Sequence, residues 1–142
     1  MEDFVENRII QAVRRLLSDR VNAILQNGEF VVPAIEFGKY HGDLVITPDI
    51  MLVSCEHTEK ERIIRLDAYA LTIVFAVPPS AESELLCYAF AGAVSKAVFD
   101  NRTLGGVVDW CAVTGKKFIA PKNRHCGEGW RLEIGLRITV TN

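Results

Sequence analysis

Residues 62–77 constrain the fold more than any other segment, because the second half of this segment is apolar on both faces. Alternate residues of a strand share a face, so one row consists of Tyr69, Leu71, Ile73, Phe75 and Val77 and the other of Ala70, Val74 and Ala76. One layer of helices covers a single face of a sheet. The other face must therefore meet a second layer of this chain or another copy of it.

Two β-hairpins are predicted from the pattern of apolar residues. Residues 50–58 and 62–77 alternate as strands around a polar turn at Glu59, Lys60 and Glu61. Residues 109–120 and 130–140 form the second hairpin, with a long polar tip at 121–129. Its last strand alternates strictly between apolar and polar positions. One face of that strand is therefore expected to be buried.

Helices are predicted before and between the hairpins. Apolar residues recur every three or four positions between residues 3 and 26, which predicts one amphipathic helix or two in succession. A second helix is expected to be capped by Ser80 and to run towards residue 100. It is apolar around most of its circumference, which is typical of a central core helix. Between the first helix and the first hairpin, Phe30–Phe37 contains Pro33 and is expected to be an edge strand or an extended segment.

This order of elements predicts an α+β fold. We expect a mostly antiparallel β-sheet with two main helices packed on one face and β-hairpins that project from it. The chain has 142 residues with no internal repeat, linker or low-complexity tract. A single domain spanning residues 1–142 is therefore expected.

Charge and hydropathy exclude several classes of protein. The chain has 16 basic and 18 acidic residues, a net charge of -2, so no global positive charge favours specific nucleic-acid recognition or anionic lipid. The N-terminal residues lack the pattern of a signal peptide. The longest nearly apolar run, residues 68–79, is shorter than the ~20 residues that a membrane-spanning helix needs. These features predict a soluble intracellular protein that makes no contact with membranes.

Cysteine and histidine residues offer two weak alternatives for an enzyme. Cys55 and His57 share a face of a strand, but alternate side chains stand ~6 to 7 Å apart, outside hydrogen-bond reach. Cys111 could join His125 and Cys126, although adjacent ligands point to opposite sides of an extended chain. We therefore predict no catalytic residue, no metal site and no cofactor, and we do not expect an enzyme. A small Cys/His-dependent enzyme is kept as the less favoured alternative.

The tip of the second hairpin carries a group of basic residues. They are Lys116, Lys117, Lys122 and Arg124, with Phe118 between them. A solvated arm is the favoured interpretation over nucleic-acid contact, because no run of stacking aromatic residues accompanies the charges. A long basic hairpin also suits contact with another protein.

One stretch of the chain resembles a known family. An Ala-rich and aromatic-rich helix followed by Asp100-Asn-Arg-Thr-Leu-Gly-Gly-Val-Val-Asp109 resembles the tail terminator, or tail completion, proteins of long-tailed phages. In that family a helix ends in a comparable Thr-Leu-Gly-Gly-Leu-Val turn before a β-hairpin. The Gly-Trp130 start of the last strand and the Pro33-Ala34 segment after the first helix are similar too. As an arrangement the resemblance covers most of the chain, and as a motif it covers residues 100–109.

The resemblance implies a structural protein of a phage or prophage tail. It implies a small subunit that assembles as a hexameric ring, caps the tail tube, stops its elongation and joins the tail to the head. The implied partners are further copies of the chain, the tail tube protein and a head–tail connector protein. The implied location is the host cytoplasm during assembly and then the tail of the virion. An alternative within the same machine is another connector, completion or baseplate component.

Site residues follow from the same resemblance, which carries over no catalytic residue. It implies that Thr103, Leu104, Gly105 and Gly106 form the turn that docks the core helix on the sheet. It also implies that the two hairpin tips contact ring neighbours or the tail tube. Together with the doubly apolar strand, the expected interface comprises Glu59, Lys60, Glu61, Tyr69, Leu71, Ile73, Phe75, Lys116, Lys117, Lys122 and Arg124.

Overall fold

The computed structural model describes residues 4–28, 31–38, 45–60, 64–122 and 128–141. Its elements in chain order are α1 (Val5–Arg15), a π-helical segment (Leu16–Val21), α2 (Asn22–Gln26), β1 (Ala34–Ile35), β2 (Val45–Ile46), β3 (Asp49–Lys60), β4 (Ile64–Val77), α3 (Ser83–Asp100), β5 (Trp110–Ile119) and β6 (Trp130–Thr141). The expected α+β fold is confirmed, with helices and a four-stranded antiparallel sheet.

The first helical region runs without a break from α1 through the π-helical segment into α2. The residues at both junctions keep helical backbone angles, so one rod fills the stretch that the sequence left as one helix or two. The Asn22 side chain accepts a hydrogen bond from the Ile35 amide at 2.8 Å and donates one to the Ile35 carbonyl at 2.8 Å. These two bonds hold the segment that follows the rod against it.

The segment around Pro33 does not join the main sheet. Ala34–Ile35 pairs in parallel with Val45–Ile46 in a separate two-stranded sheet. The expected edge strand over Phe30–Phe37 is therefore shorter, and its partner is a strand that the sequence did not predict. Pro33 comes directly before the strand, where the missing amide hydrogen breaks no ladder bond.

The main sheet has the strand order β3-β4-β6-β5, and all neighbouring strands are antiparallel. Both predicted hairpins are confirmed. The first hairpin extends further than expected, because Glu59 pairs with Arg65 and Lys60 with Ile64. The predicted turn at Glu59, Lys60 and Glu61 is thus wrong for its first two residues. Glu61 lies outside the described residues.

Helix α3 packs on the sheet and begins at Ser83, three residues after the predicted cap Ser80. The Ser80 hydroxyl accepts a hydrogen bond from the Glu82 amide at 3.2 Å, while the helix starts at Ser83. Ser80 therefore braces the preceding turn and is not the cap. Phe90 of α3 stacks on Phe75 of β4 with ring centroids 4.9 Å apart, and both side chains are fully buried. The core lies between this helix, the first helical rod and one face of the sheet.

Candidate assembly surface

The row of β4 that was expected to contact another subunit lies instead in the core of its own chain. Tyr69, Leu71, Ile73 and Phe75 are buried and belong to one cluster with the inward-facing residues of the helices. Each pairs across the ladder with an apolar residue of β6, from Ile138 to Leu132. These four side chains are not a surface for a neighbour, and their assignment to the interface is corrected. They form the face that the helices cover.

On the opposite face of the sheet, strand β4 carries shorter side chains. Ala68, Ala70 and Thr72 are half-buried, and Val74 is buried among its strand neighbours. None of these four belongs to the core cluster that contains the inward residues of the helices. Val74 is therefore buried although it does not belong to the main core. This face has little apolar area to offer a partner.

Large exposed apolar residues collect where α3 runs beside β5. Of the nine such residues in the described part of the chain, five lie here, so the distribution is strongly uneven. We call this set the α3–β5 border, and its members are Leu85, Tyr88, Phe99, Trp110 and Phe118. Their exposed fractions range from 40% for Phe118 to 68% for Phe99.

The border contains an aromatic group at each end. Tyr88 and Phe118 meet edge to face with ring centroids 5.3 Å apart. At the other end the Arg102 guanidinium lies 4.9 Å from the Phe99 ring centre and 4.8 Å from that of Trp110. Arg102 also donates a hydrogen bond to the Cys111 carbonyl at 3.1 Å, which fixes its position. Ordered aromatic and arginine side chains of this kind are enriched at the energetic centres of protein interfaces.

The other edge of the sheet is strand β3, which also exposes apolar side chains. Met51 is 46% exposed and Val53 65%. The ladder with β4 shifts register between Leu52 and Ser54, so Val53 lies in a β-bulge. We call Met51 and Val53 the β3 edge. Exposed edge strands offer unpaired backbone groups to another chain unless something covers them.

The turn after α3 adopts a left-handed backbone over three consecutive residues. The φ angles of Leu104, Gly105 and Gly106 are +49°, +74° and +89°. Gly106 and Val108 donate amide hydrogen bonds to the Thr103 carbonyl at 3.0 and 3.1 Å. Leu104 is buried in the core cluster, so the turn fastens the end of α3 to the body of the chain.

The described lysines of the second hairpin, Lys116, Lys117 and Lys122, do not form one patch. Lys116 pairs with Ile134 and Lys117 with Glu133, which places the two lysines on opposite faces of β5. The Lys122 amide donates a hydrogen bond to the Glu128 carboxylate at 3.2 Å. Arg124 lies outside the described residues. The described lysines are exposed and dispersed, as solvated side chains on an arm are.

One predicted Cys/His pair gains a third member. Cys55, His57 and Asp67 place one sulfur, one nitrogen and one oxygen within 4.8 Å of one another, closer than the strand spacing predicted. We call these three residues the hairpin cluster. His57 is hydrogen-bonded to the Asp67 carboxylate, and the Arg65 Nε donates to the same oxygen at 3.1 Å. The bond with His57 and then the bond with Arg65 lower the pKa of Asp67, against the opposing effect of its burial.

The second predicted thiol site gains no support. Cys111 is fully buried, and this burial raises the pKa of its thiol to about 11. A thiol that stays protonated near neutral pH is a poor nucleophile and a poor metal ligand. Its proposed partners His125 and Cys126 lie outside the described residues.

Sequence reasoning missed the two exposed borders. The apolar character of α3 around most of its circumference predicts a central core helix, whereas Leu85, Tyr88 and Phe99 recur on one exposed side. Met51 and Val53 lie in the run Ile50-Met-Leu-Val53, which is apolar at every position. Nothing in that pattern marks β3 as an edge, because edge position depends on strand order.

The chain matches no protein-family model, and no curated protein shows significant sequence similarity to it. None of the helices in the described ranges is long and apolar enough to cross a membrane.

Proposed function

We propose that the protein is a structural subunit that assembles head to tail into a ring in a phage or prophage tail. The observation that carries this proposal is the placement of exposed apolar residues at both edges of one sheet. The α3–β5 border lies at one edge and the β3 edge at the other. A contact between two different surfaces of one chain propagates from subunit to subunit and closes into a ring when the rotation allows.

The chemistry of the two edges favours a protein partner. The α3–β5 border offers aromatic rings and an immobilised arginine, which lose little side-chain entropy on binding. The β3 edge offers Met51 and Val53 beside a bulge. Apolar side chains at matching ends of the sheet can pack against one another when a neighbour's edge approaches.

Within this class, the role that fits best is that of the tail terminator. The support is the resemblance of residues 100–109 to that family, together with the docking role of the buried Leu104. A terminator ring caps the tail tube, stops its elongation and joins the tail to the head. The expected partners are the tail tube protein, a head–tail connector protein and further copies of this chain, first in the host cytoplasm and then in the virion tail.

Gene deletion tests the role in the tail. We would delete the gene in the host that carries it, induce particle production and image the products by negative-stain electron microscopy. Overlong or irregular tails without heads are expected for a terminator. Tails of normal length that fail to join heads would replace termination with another connector role. Normal tails on full heads would refute a role in the tail.

Complementation of the deletion tests the surface. A Phe99→Ser, Trp110→Ser double variant removes the aromatic groups that flank Arg102 and is expected to restore few normal particles. The matched control is Phe4→Ser, because Phe4 is 62% exposed and lies outside both borders. The control should restore particles as the unaltered gene does. Full rescue by the double variant would count against the α3–β5 border as an assembly surface.

A further inference from the structure

The hairpin cluster brings three metal-ligating side chains to one face of the first hairpin. Cys55 and His57 alternate on β3, and His57 pairs directly with Asp67 of β4. Directly paired residues of antiparallel strands present their side chains on the same face. The ladder therefore sets the positions of all three residues, and their ligand atoms converge to within 4.8 Å.

Burial within the cluster is graded. The Asp67 side chain is 1% exposed, whereas that of His57 is 55% exposed and Cys55 is exposed. An ion could thus reach the cluster from solvent through the Cys55 and His57 side. It would meet a carboxylate that is already held in place.

The three donors select a class of metal. A thiolate sulfur and an imidazole nitrogen suit zinc and similar transition metals, whereas Ca²⁺ and Mg²⁺ prefer oxygen ligands throughout. Zinc sites with three protein ligands leave a fourth position for water. The sulfur, nitrogen and oxygen donors of the hairpin cluster match such a set.

The distances lie within reach of a tetrahedral site. Bond lengths of about 2.0 to 2.3 Å to zinc place neighbouring ligand atoms roughly 3.3 to 3.6 Å apart. The present separations of up to 4.8 Å require an approach of little more than an ångström, which rotation of the exposed Cys55 and His57 side chains can supply. The hydrogen bond between His57 and Asp67 opens as the ion takes its place.

Two neighbouring side chains support the ligands from outside. The Arg65 Nε holds the Asp67 carboxylate at 3.1 Å, and the buried Tyr69 lies directly opposite Cys55 in the ladder between β3 and β4. Such outer partners orient the ligands of protein metal sites. The contacts of Asp67 with His57 and Arg65 form a hydrogen-bonded ion pair, and Cys55 adds a sulfur ligand beside that pair.

We propose that Cys55, His57 and Asp67 bind one zinc-type divalent metal ion, with water as the fourth ligand. Binding releases the Cys55 thiol proton to solvent and joins β3 to β4. The proposal is independent of ring assembly, because none of the three ligands belongs to either border.

Metal binding is measured on the full-length chain after treatment with a chelator. Zn²⁺ is titrated by isothermal calorimetry, and bound metal is counted by mass spectrometry after desalting. One Zn²⁺ per chain is expected. Co²⁺ in place of Zn²⁺ should give the intense visible bands of a tetrahedral site and a charge-transfer band from thiolate, both of which report on Cys55.

Variants locate the site. Cys55→Ser and His57→Gln change exposed side chains and are each expected to weaken Zn²⁺ binding roughly ten-fold or more. Circular dichroism and the unfolding midpoint without metal verify that both variants fold. The matched control is a His125→Gln, Cys126→Ser double variant, which removes a histidine and a cysteine outside the cluster and should bind as the unaltered chain does.

Three results would overturn the proposal. The first is less than a tenth of a Zn²⁺ per chain at saturation. The second is unchanged affinity in folded Cys55→Ser and His57→Gln proteins. The third is loss of binding in the His125→Gln, Cys126→Ser control, which would move the metal to other ligands.

Discussion

Two phenylalanines of α3 distinguish the core of the chain from the proposed assembly surface. Phe90 is fully buried and stacks on Phe75, whereas Phe99 is 68% exposed at the α3–β5 border. The two residues are of the same type and lie on the same helix, but their side chains have different surroundings. Replacing each with alanine therefore tests the two faces of one element.

The expected loss of unfolding free energy for each substitution follows from how deeply the ring is buried. Phe90→Ala removes a fully buried ring and leaves a cavity against Phe75, which is expected to cost about 3 to 5 kcal/mol of unfolding free energy. In a chain of this size that loss corresponds to a fall in Tm of roughly 6 to 20 °C. Phe99→Ala loses a contact with Arg102 at an exposed site, worth about 0.5 to 1 kcal/mol.

The assay is unfolding by guanidinium chloride, followed by circular dichroism at protein concentrations low enough to prevent assembly, since assembly would add its own stabilisation. Light scattering at high concentration then compares oligomer formation. Phe99→Ala is expected to keep nearly all its stability and to lose oligomers. A loss of stability in Phe99→Ala equal to that in Phe90→Ala would refute the assignment of the two faces.

Three further predictions concern the turn, the thiols and the second hairpin. Gly106→Ala places a side chain on a backbone with φ of +89° and should lower the free energy of unfolding by about 1 to 2 kcal/mol, whereas Gly92→Ala in α3 should raise it by about 0.5 to 1 kcal/mol. Thermal unfolding measures both changes. Equal effects of the two substitutions would contradict the argument from backbone conformation. Iodoacetamide at pH 8 should modify the exposed Cys55 promptly and Cys111 only after unfolding, because burial raises the pKa of the Cys111 thiol to about 11. Peptide mapping by mass spectrometry distinguishes the two labelled cysteines. Rapid labelling of Cys111 in the folded chain would contradict its burial. Replacing residues 122–128 with an Asn-Gly turn should leave Tm unchanged and impair particle formation, and normal particle yields would remove the tip as a contact arm.

The elements could be predicted from the sequence where periodicity is strong. The strict alternation of β6 and the apolar spacing of the first helical rod indicated elements that the structure contains. The boundaries were less accurate at hydrogen-bonded turns. Ser80 braces a turn and does not cap the helix, and Glu59 continues the ladder past the polar residues that suggested a turn.

The surface could not be predicted in the same way, because it depends on strand order. Periodicity indicated two apolar rows on β4, but not which row the helices cover. The Tyr69 row is the covered one. In the other row Ala70 is half-buried, Val74 is buried and Ala76 is exposed. Seven of the nine large exposed apolar residues in the described part of the chain lie instead at the two edges. The hairpin cluster escaped prediction because Asp67 joins it across the ladder and not along the chain.

Cross-linking between the two edges tests the central claim most directly. Val53 and Thr114 are exposed residues at the bulges of β3 and β5, the two outer strands. We would place cysteines at both positions in a Cys55→Ser, Cys126→Ser background and treat the protein and isolated tails with a short bis-maleimide. Each single-cysteine variant serves as a control.

The proposed head-to-tail ring of six subunits predicts that the variant with both cysteines gives a ladder of products ending at six times the chain mass of 15.8 kDa, while neither single variant gives a ladder. Dimers from a single variant would indicate a symmetric contact in which like edges meet. Such dimers without a ladder from the double variant would contradict the ring.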